Sequence, residues 1–328
     1  MTDEQERPAL AELRARTALR GAGLDPTVPL ERASSVTNEV WLTPTHVVRV
    51  NRRPDNRLAR EAAVAAVLPA AVGYPTIVAT GAERGGDWLV VRRVPGTPLA
   101  HRWPDLDATD RRRAVHQLAE RLAAVHATPA PDDLPPMLRA PQLLEIGTDA
   151  PATPVLAALE QAASLDHVAP QIISEAIALV EKLAPVLQPF VADTLVHGDV
   201  TFENVLWDSG EVTALLDLEW ARAGPRDLDL DIILRCCAHP QLHVGAEHAS
   251  RTRPEDYRDV PAWLAEDYPE LFDAPGWVDR LRIYSIAYDV RELLAFPPTR
   301  GVNRLPELHP YHRLARVVQG TSYLDSIH

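Results

Sequence analysis

Lysine is almost absent from this 328-residue chain: Lys182 is the only one, and arginine carries every other fixed positive charge. That lysine follows Glu181, so the Gly-x-x-x-x-Gly-Lys phosphate loop does not occur. The pair Gly21-x-Gly23 has Pro26 where a third glycine should stand and follows a helix-like segment, which excludes a dinucleotide fingerprint. Cysteine is nearly as scarce. Cys236 and Cys237 are adjacent, so a disulfide framework is excluded and a reducing cytoplasm is the expected location. No uncharged apolar run approaches the roughly 18 residues of a membrane span. The first residues, Met1-Thr2-Asp3-Glu4-Gln5-Glu6-Arg7, are acidic and lack the apolar stretch of a secretory signal. Positive charge as a whole is in deficit, with 33 Lys and Arg against 46 Asp and Glu, a net of −13. Such a chain lacks the clustered cations that nucleic acid demands. The same charge suits a cationic ligand, and it equally suits a merely soluble acidic surface.

What is present is organised around residues 195 to 220. An apolar strand, Leu195-Val196, turns at Gly198 and leads to Asp199, Asn204 and a second apolar run. A further strand-like run, Val212 to Leu216, delivers Asp217 at its end. Two carboxylates and an amide beside His197 are what nucleotide phosphoryl transfer requires. One acid orients and deprotonates an attacking hydroxyl, while the other acid and the amide hold magnesium against phosphates. Asp199-x-x-x-x-Asn204 has the spacing of a kinase catalytic loop, with Gly198 where protein kinases place arginine.

The run His197-Gly198-Asp199, Asn204 and Leu216-Asp217-Leu218-Glu219 resembles the aminoglycoside phosphotransferase family of small-molecule kinases. The likeness spans about residues 30 to 295 and is strongest from His197 to Asp229. It implies an α+β, bilobal protein-kinase-like fold: a small antiparallel-sheet lobe at residues 1–94 and a larger, mainly helical lobe at 95–328. It also implies ATP or GTP between the lobes with Mg2+ on Asn204 and Asp217, and transfer of the γ-phosphoryl group to a small-molecule hydroxyl. Asp199 is then the base, and Asp229 braces the loop, although Asp227 competes with it as a helix N-cap. His197 is assigned a structural hydrogen bond within the loop.

The smaller lobe matches less closely. Strands read from Leu30 to Ser35, Asn38 to Thr43 and His46 to Val50, and the turn between the first two lacks glycine. Ser34 and Ser35 there offer hydroxyls and N–H groups to phosphate, or simply make a hairpin turn. In the third strand Arg49 takes the place of the family's lysine, with Glu61 on the following helix as its partner. Two more strands lead to Arg92, Arg93 and Val94, where the resemblance implies a hinge whose main-chain groups at Arg92 and Val94 meet the adenine edge.

The larger lobe begins with an amphipathic helix from Ala108 to His126 and a proline-rich crossing over residues 128–141. Its C-terminal part is acidic and aromatic. Glu219, Asp231, Glu266, Asp267 and Asp289 are the candidate contacts to the acceptor, which acids would suit if it is cationic. The acceptor implied first is an aminoglycoside or other antibiotic. Macrolides, nucleoside antibiotics, choline, homoserine and sugar amines are alternatives, as is a silent nucleotide-binding relative. Cys236, Cys237, His239, His243 and His248 raise a zinc reading, but Pro240 and the spacing match no common zinc module.

Overall fold

The computed structural model describes residues 3–326 apart from 34, 36–37, 53–54, 84–85, 138–142, 167 and 299–304. Helix α1 (Asp3–Gly21) precedes strands β1 (Glu31–Ala33), β2 (Asn38–Leu42) and β3 (His46–Asn51). Helix α2 (Arg57–Ala65) then leads to β4 (Ile77–Glu83) and β5 (Gly86–Arg92). The five strands form one antiparallel sheet in the order β1-β2-β3-β5-β4. Side chains on a strand alternate between faces. Val48 and Val50 therefore turn to one face and pack with Ala11, Ala15, Ala18 and Leu19 of α1. Arg49, between them, turns to the other face. There α2 lies against the sheet through Leu58, with Glu61 three residues further on the same side of the helix.

After Arg92 the chain passes through Pro95 and Gly96 into β6 (Thr97–Pro98) and α3 (Leu99–Arg102). The Thr213 hydroxyl donates to the Pro95 carbonyl at 2.7 Å, which seats this link on the rest of the molecule. Helix α4 (Ala108–His126) runs through the middle of the larger core and buries Ala114, Val115, Leu118, Leu122 and Val125. Helices α5 (Thr153–Ala162) and α6 (Pro170–Leu183) follow, then β7 (Thr194–Val196), β8 (Val205–Asp208), β9 (Glu211–Leu215) and β10 (Arg222–Gly224). Strand β7 pairs with β10, and β6, β8 and β9 form a second small sheet. The chain closes with α7 (Asp227–Ala238), α8 (Ala246–Ala249), α9 (Val260–Asp267), α10 (Trp277–Ala295) and α11 (Pro310–Val318).

The α+β, protein-kinase-like arrangement expected from the sequence is present. Helix α7 differs from the sequence reading: it starts at Asp227 rather than Ile232, with Arg226 at the N-cap position. Asp227 is therefore not the cap. Its buried carboxylate accepts from the guanidinium of Arg280 and from the Tyr284 hydroxyl at 3.1 Å. None of the helices is long and apolar enough to cross a membrane, among the described residues. Because Leu122 is fully buried in the central helix, Leu122→Ala should cost about 2–5 kcal/mol, read as a lower midpoint in urea denaturation. A change under ~1 kcal/mol would mean that α4 is not packed as described.

Candidate active site

The loop between β7 and β8 is held from below by one carboxylate. Asp229 accepts hydrogen bonds from the backbone N–H of His197 at 2.7 Å and of Gly198 at 2.8 Å. It also pairs with His126 Nε2 at 2.9 Å, and His126 Nδ1 meets the Tyr268 hydroxyl at 2.8 Å. Burial alone would raise the Asp229 carboxyl, but the bonds and charge of His126, with His197 and the Gly198 amide, outweigh it and hold its pKa below the ordinary value. His197 is fully buried, which lowers its pKa, and its Nε2 bonds the Leu216 carbonyl at 2.9 Å. The histidine thus ties the loop to the end of β9. Gly198 stands at φ +80°, and a Cβ there would fall 2.3 Å from the Trp220 carbonyl oxygen. No larger residue fits, so the protein-kinase arginine is excluded sterically at this position.

Beyond the glycine three polar side chains meet. Asn204 Nδ2 donates to the Asp199 carbonyl at 2.8 Å and to its carboxylate Oδ2 at 3.2 Å. The Asn204 carbonyl accepts from the Leu216 N–H at 2.7 Å, which brings the residue after β9 alongside the loop. Asp217 follows in the left-handed region, φ +61° and ψ +63°. For a residue with a Cβ this costs roughly 1–2 kcal/mol, and such strain gathers at functional sites. Burial, and then the charges of Asp217 and Glu219, push the Asp199 carboxyl well above the ordinary carboxylate range.

The sheet contributes a cation to this centre. One nitrogen of Arg49 reaches Glu61 Oε2 at 2.6 Å, and the other reaches Asp217 Oδ1 at 2.6 Å and Glu219 Oε2 at 3.6 Å. Burial opposes its charge, but Asp217 and Glu61 prevail and hold the guanidinium's pKa well above its usual value. Glu61 is fixed further by the Tyr74 hydroxyl at 2.8 Å and the Leu218 N–H at 3.3 Å. Glu61, Asp217 and Glu219 each bring a carboxylate oxygen within 4.8 Å of the others. Asn204 and Asp217 are hard oxygen donors of the kind magnesium prefers. With its amide nitrogen spent on Asp199, Asn204 keeps its Oδ1 for a cation, and Asp217 is a quarter exposed. The two residues fit such an ion.

The remaining expected positions divide. Ser34 lies outside the described residues, and Ser35 accepts from Arg52 through its carbonyl at 3.0 Å. At the link, the Arg92 N–H is already given to the Thr76 carbonyl at 2.9 Å, so its main chain has no free donor for a base edge. No backbone acceptor among the described residues takes the Val94 N–H.

The acids expected to meet the acceptor do not gather as one surface. Glu219 is buried among Arg57, at 3.0 Å, Asn38, at 3.0 Å, and Arg49, on the sheet side of the site. Burial and the charge of Asp217 push its carboxyl up to about 7. Asp231 is buried on Arg235 at 2.7 Å, and Asp289 on Arg313 at 2.8 Å. Both are structural ion pairs rather than free acceptor contacts. Asp267 pairs with Arg112 at 2.8 Å, and Glu266 with the same arginine at 3.2 Å. Arg112 stands fourteen residues before His126 on α4, roughly 21 Å at 1.5 Å per residue. These two acids therefore belong to the far end of that helix. Cys236 and Cys237 are buried thiols, and the five Cys and His candidates form no metal-ligand group among the described residues.

Several contributors were invisible to motif reading. Tyr74, Arg57 and Asn38 reach the site from segments with no signature, and only the fold brings them in. Tyr288 of α10 lies close enough to Asp199 to feel its charge, with Arg235 at 4.2 Å and Arg291 at 5.2 Å from its ring. Around Tyr288 the arginines are matched by acids: Arg291 pairs with Glu292 at 2.6 Å, and Arg235 with Asp231 at 2.7 Å.

Comparisons with known proteins bear on the family and the fold. The model of the phosphotransferase enzyme family matches residues 27–241. No curated protein matches by sequence. Among solved structures, a thermostable mutant of aminoglycoside phosphotransferase APH(4)-Ia, in a ternary complex with ADP and hygromycin B, superposes with a TM-score of 0.59. The two share 16% identity over 96% of this chain and 99% of that one. ADP-bound APH(2'')-Ib gives 0.55 at 14% identity, covering 90% and 96%. An aminoglycoside-3'-phosphotransferase of type VIII gives 0.51 at 22%, covering 84% and 99%.

Asp229 makes stability depend on pH in a defined sense. Its folded pKa is depressed, so its contribution is present above the unfolded value of about 3.9 and is lost as pH falls through the lower folded value. Asp229→Asn should therefore lower stability at pH 7 by about 3 kcal/mol. It should also flatten the loss of stability below about pH 4. Melts of both proteins between pH 3 and 7 check this, and parallel curves would remove Asp229 from the role.

Proposed function

Because the chain belongs to the phosphotransferase enzyme family, whose model matches residues 27–241, we propose that it transfers the γ-phosphoryl group of a nucleoside triphosphate to a hydroxyl of a small molecule. The observation that carries this reading is the meeting of Asp199, Asn204 and Asp217 with Arg49 held by Glu61. Asp199 takes the proton of the acceptor hydroxyl as its oxygen bonds to the γ-phosphorus. The bond from that phosphorus to the β-phosphate oxygen breaks, and the nucleoside diphosphate leaves with the electron pair. Asn204 and Asp217 would hold magnesium, which when bound neutralises charge on the phosphate oxygens. Arg49 then turns the nitrogen now on Asp217 towards the α- and β-phosphates, keeping its other nitrogen on Glu61. A guanidinium grips oxygens in a planar fork, so it serves where relatives use lysine, but with a fixed orientation. We place the nucleotide between a lobe of residues 1–94 and one of 95–328, with the Val94 N–H facing its base. ATP is the donor proposed first, with GTP as the alternative.

For the acceptor, the fold relatives that bind hygromycin B support an antibiotic hydroxyl, an aminoglycoside before others. The Arg235–Tyr288–Arg291 wall adds a restriction. Arg235 and Arg291 are answered there by Asp231 and Glu292, so what the wall offers the acceptor is the Tyr288 ring and hydroxyl rather than a net charge.

Asp199→Asn should fold, bind ATP with Mg2+ and lose about 10³-fold or more in kcat, since only the base is removed. Retained turnover would refute the assignment. A panel of aminoglycosides, macrolides and nucleoside antibiotics with labelled ATP identifies the acceptor. The raised Asp199 pKa means the base form appears only at higher pH, so the acid limb of kcat/KM should lie above the ordinary carboxylate range. A limb at about pH 4 would contradict this. Arg49→Gln should weaken ATP binding about tenfold or more, measured by calorimetry.

A further inference from the structure

A cavity of about 220 Å³ opens between α7, α10, α11 and the segment that follows α11. Asp199, Asn204 and Asp217 do not line it. Its wall holds three guanidiniums, those of Arg235, Arg313 and Arg316, together with Asp289, Ser285 and Thr321. Arg235, Arg313 and Asp289 are all more than nine-tenths buried. Charged groups do not sit at such depth unless something answers them.

Each of the three arginines has an acid, but the pairs differ in strength. Asp231 answers Arg235 at 2.7 Å, and Asp289 answers Arg313 at 2.7 Å. Arg316 has only Glu307, at 3.3 Å, and that acid is 84% exposed, so the pair is weak. Two polar atoms on the wall also stand without a hydrogen bond while fully buried: the Nε donor of Arg235 and the Oδ2 acceptor of Asp289. Native structures rarely leave such atoms unmet. His239, on the same wall, has its pKa pushed down to about 4 by burial and by Arg313, Arg235 and Arg316.

We propose that this cavity is a binding site for a small anion, a phosphate or carboxylate group that also carries a hydroxyl. Anionic oxygens meet Arg316, and the Arg235 and Asp289 side chains turn so that the unmet Nε–H reaches an anionic oxygen and the unmet Oδ2 accepts from the hydroxyl. Thr321, exposed at the rim, adds a hydroxyl at the mouth. The site is separate from the phosphoryl-transfer cleft, though not remote from it. Arg235 carries Tyr288 on its other side, and Tyr288 is near enough to Asp199 to feel its charge. An occupant would therefore stiffen the wall that faces the acceptor.

Inorganic phosphate is a suitable probe, because its protonated form has both anionic oxygens and a hydroxyl. The full chain is first saturated with ADP, which leaves only the γ-phosphate position of the cleft open. Phosphate is then titrated by calorimetry at low ionic strength; an anion at the γ-phosphate position would bind the Arg316→Gln chain equally. One phosphate should bind, and Arg316→Gln should weaken it about tenfold or more. Thr321→Trp, which closes the rim, should abolish it. Both positions lie at the surface end of the cavity, so both variants should melt like the parent and bind ADP unchanged. No phosphate binding to the ADP-saturated parent, or equal binding by Arg316→Gln, would overturn the proposal.

Discussion

Arg49 ties three carboxylates from two segments into one centre. Glu61 comes from α2, Asp217 and Glu219 from the chain after β9, and their oxygens converge within 4.8 Å. At an effective dielectric of 20, each such pair of like charges repels by about 3 kcal/mol. The cluster exists because a guanidinium from β3 lies among its members and contacts all three. Removing the cation would drive protons onto the acids or the segments apart. With Asn38 and Arg57 on Glu219 and the Leu218 N–H on Glu61, Arg49 joins the first sheet and α2 to the chain after β9.

The other half of the site depends on Asp229. Its two oxygens collect the N–H groups of His197 and Gly198 and the ring of His126. This fixes where Asp199 begins, because the turn has no freedom once those amides are held. Gly198 completes the constraint, since the Trp220 carbonyl occupies the space any side chain would need. A rigid loop and a strained Asp217 are the expected marks of a centre arranged in advance for charge that develops during reaction.

The acidity of the chain has a more local meaning than its net charge suggests. Asp227, Asp231 and Asp289 are consumed inside the larger core by Arg280, Arg235 and Arg313. These pairs explain why arginine recurs on helices that pack inward, and why a count of acids does not forecast a cationic ligand. At the cavity beside α11 the third arginine, Arg316, has only an exposed acid, and burial with the nearby arginines pushes the His239 pKa down to about 4.

The amino-acid sequence by itself determined the order of strands and helices and the spacing of Asp199, Asn204 and Asp217. These are legible because period-two and period-3.6 patterns and short motifs are local properties, while the pairing of Arg49 with Glu61 came from the family resemblance. Helix α4 and the three strands β2, β3 and β5 were legible for that reason. The short strands β6 and β10 were not, since two or three residues carry no periodicity. Only the tertiary structure decided which acids reach the site. Asp231, Asp289, Glu266 and Asp267 looked equivalent to Glu219 as isolated carboxylates. Their roles depend on which arginine each one meets across tens of residues, and that meeting is made by packing, not by spacing along the chain.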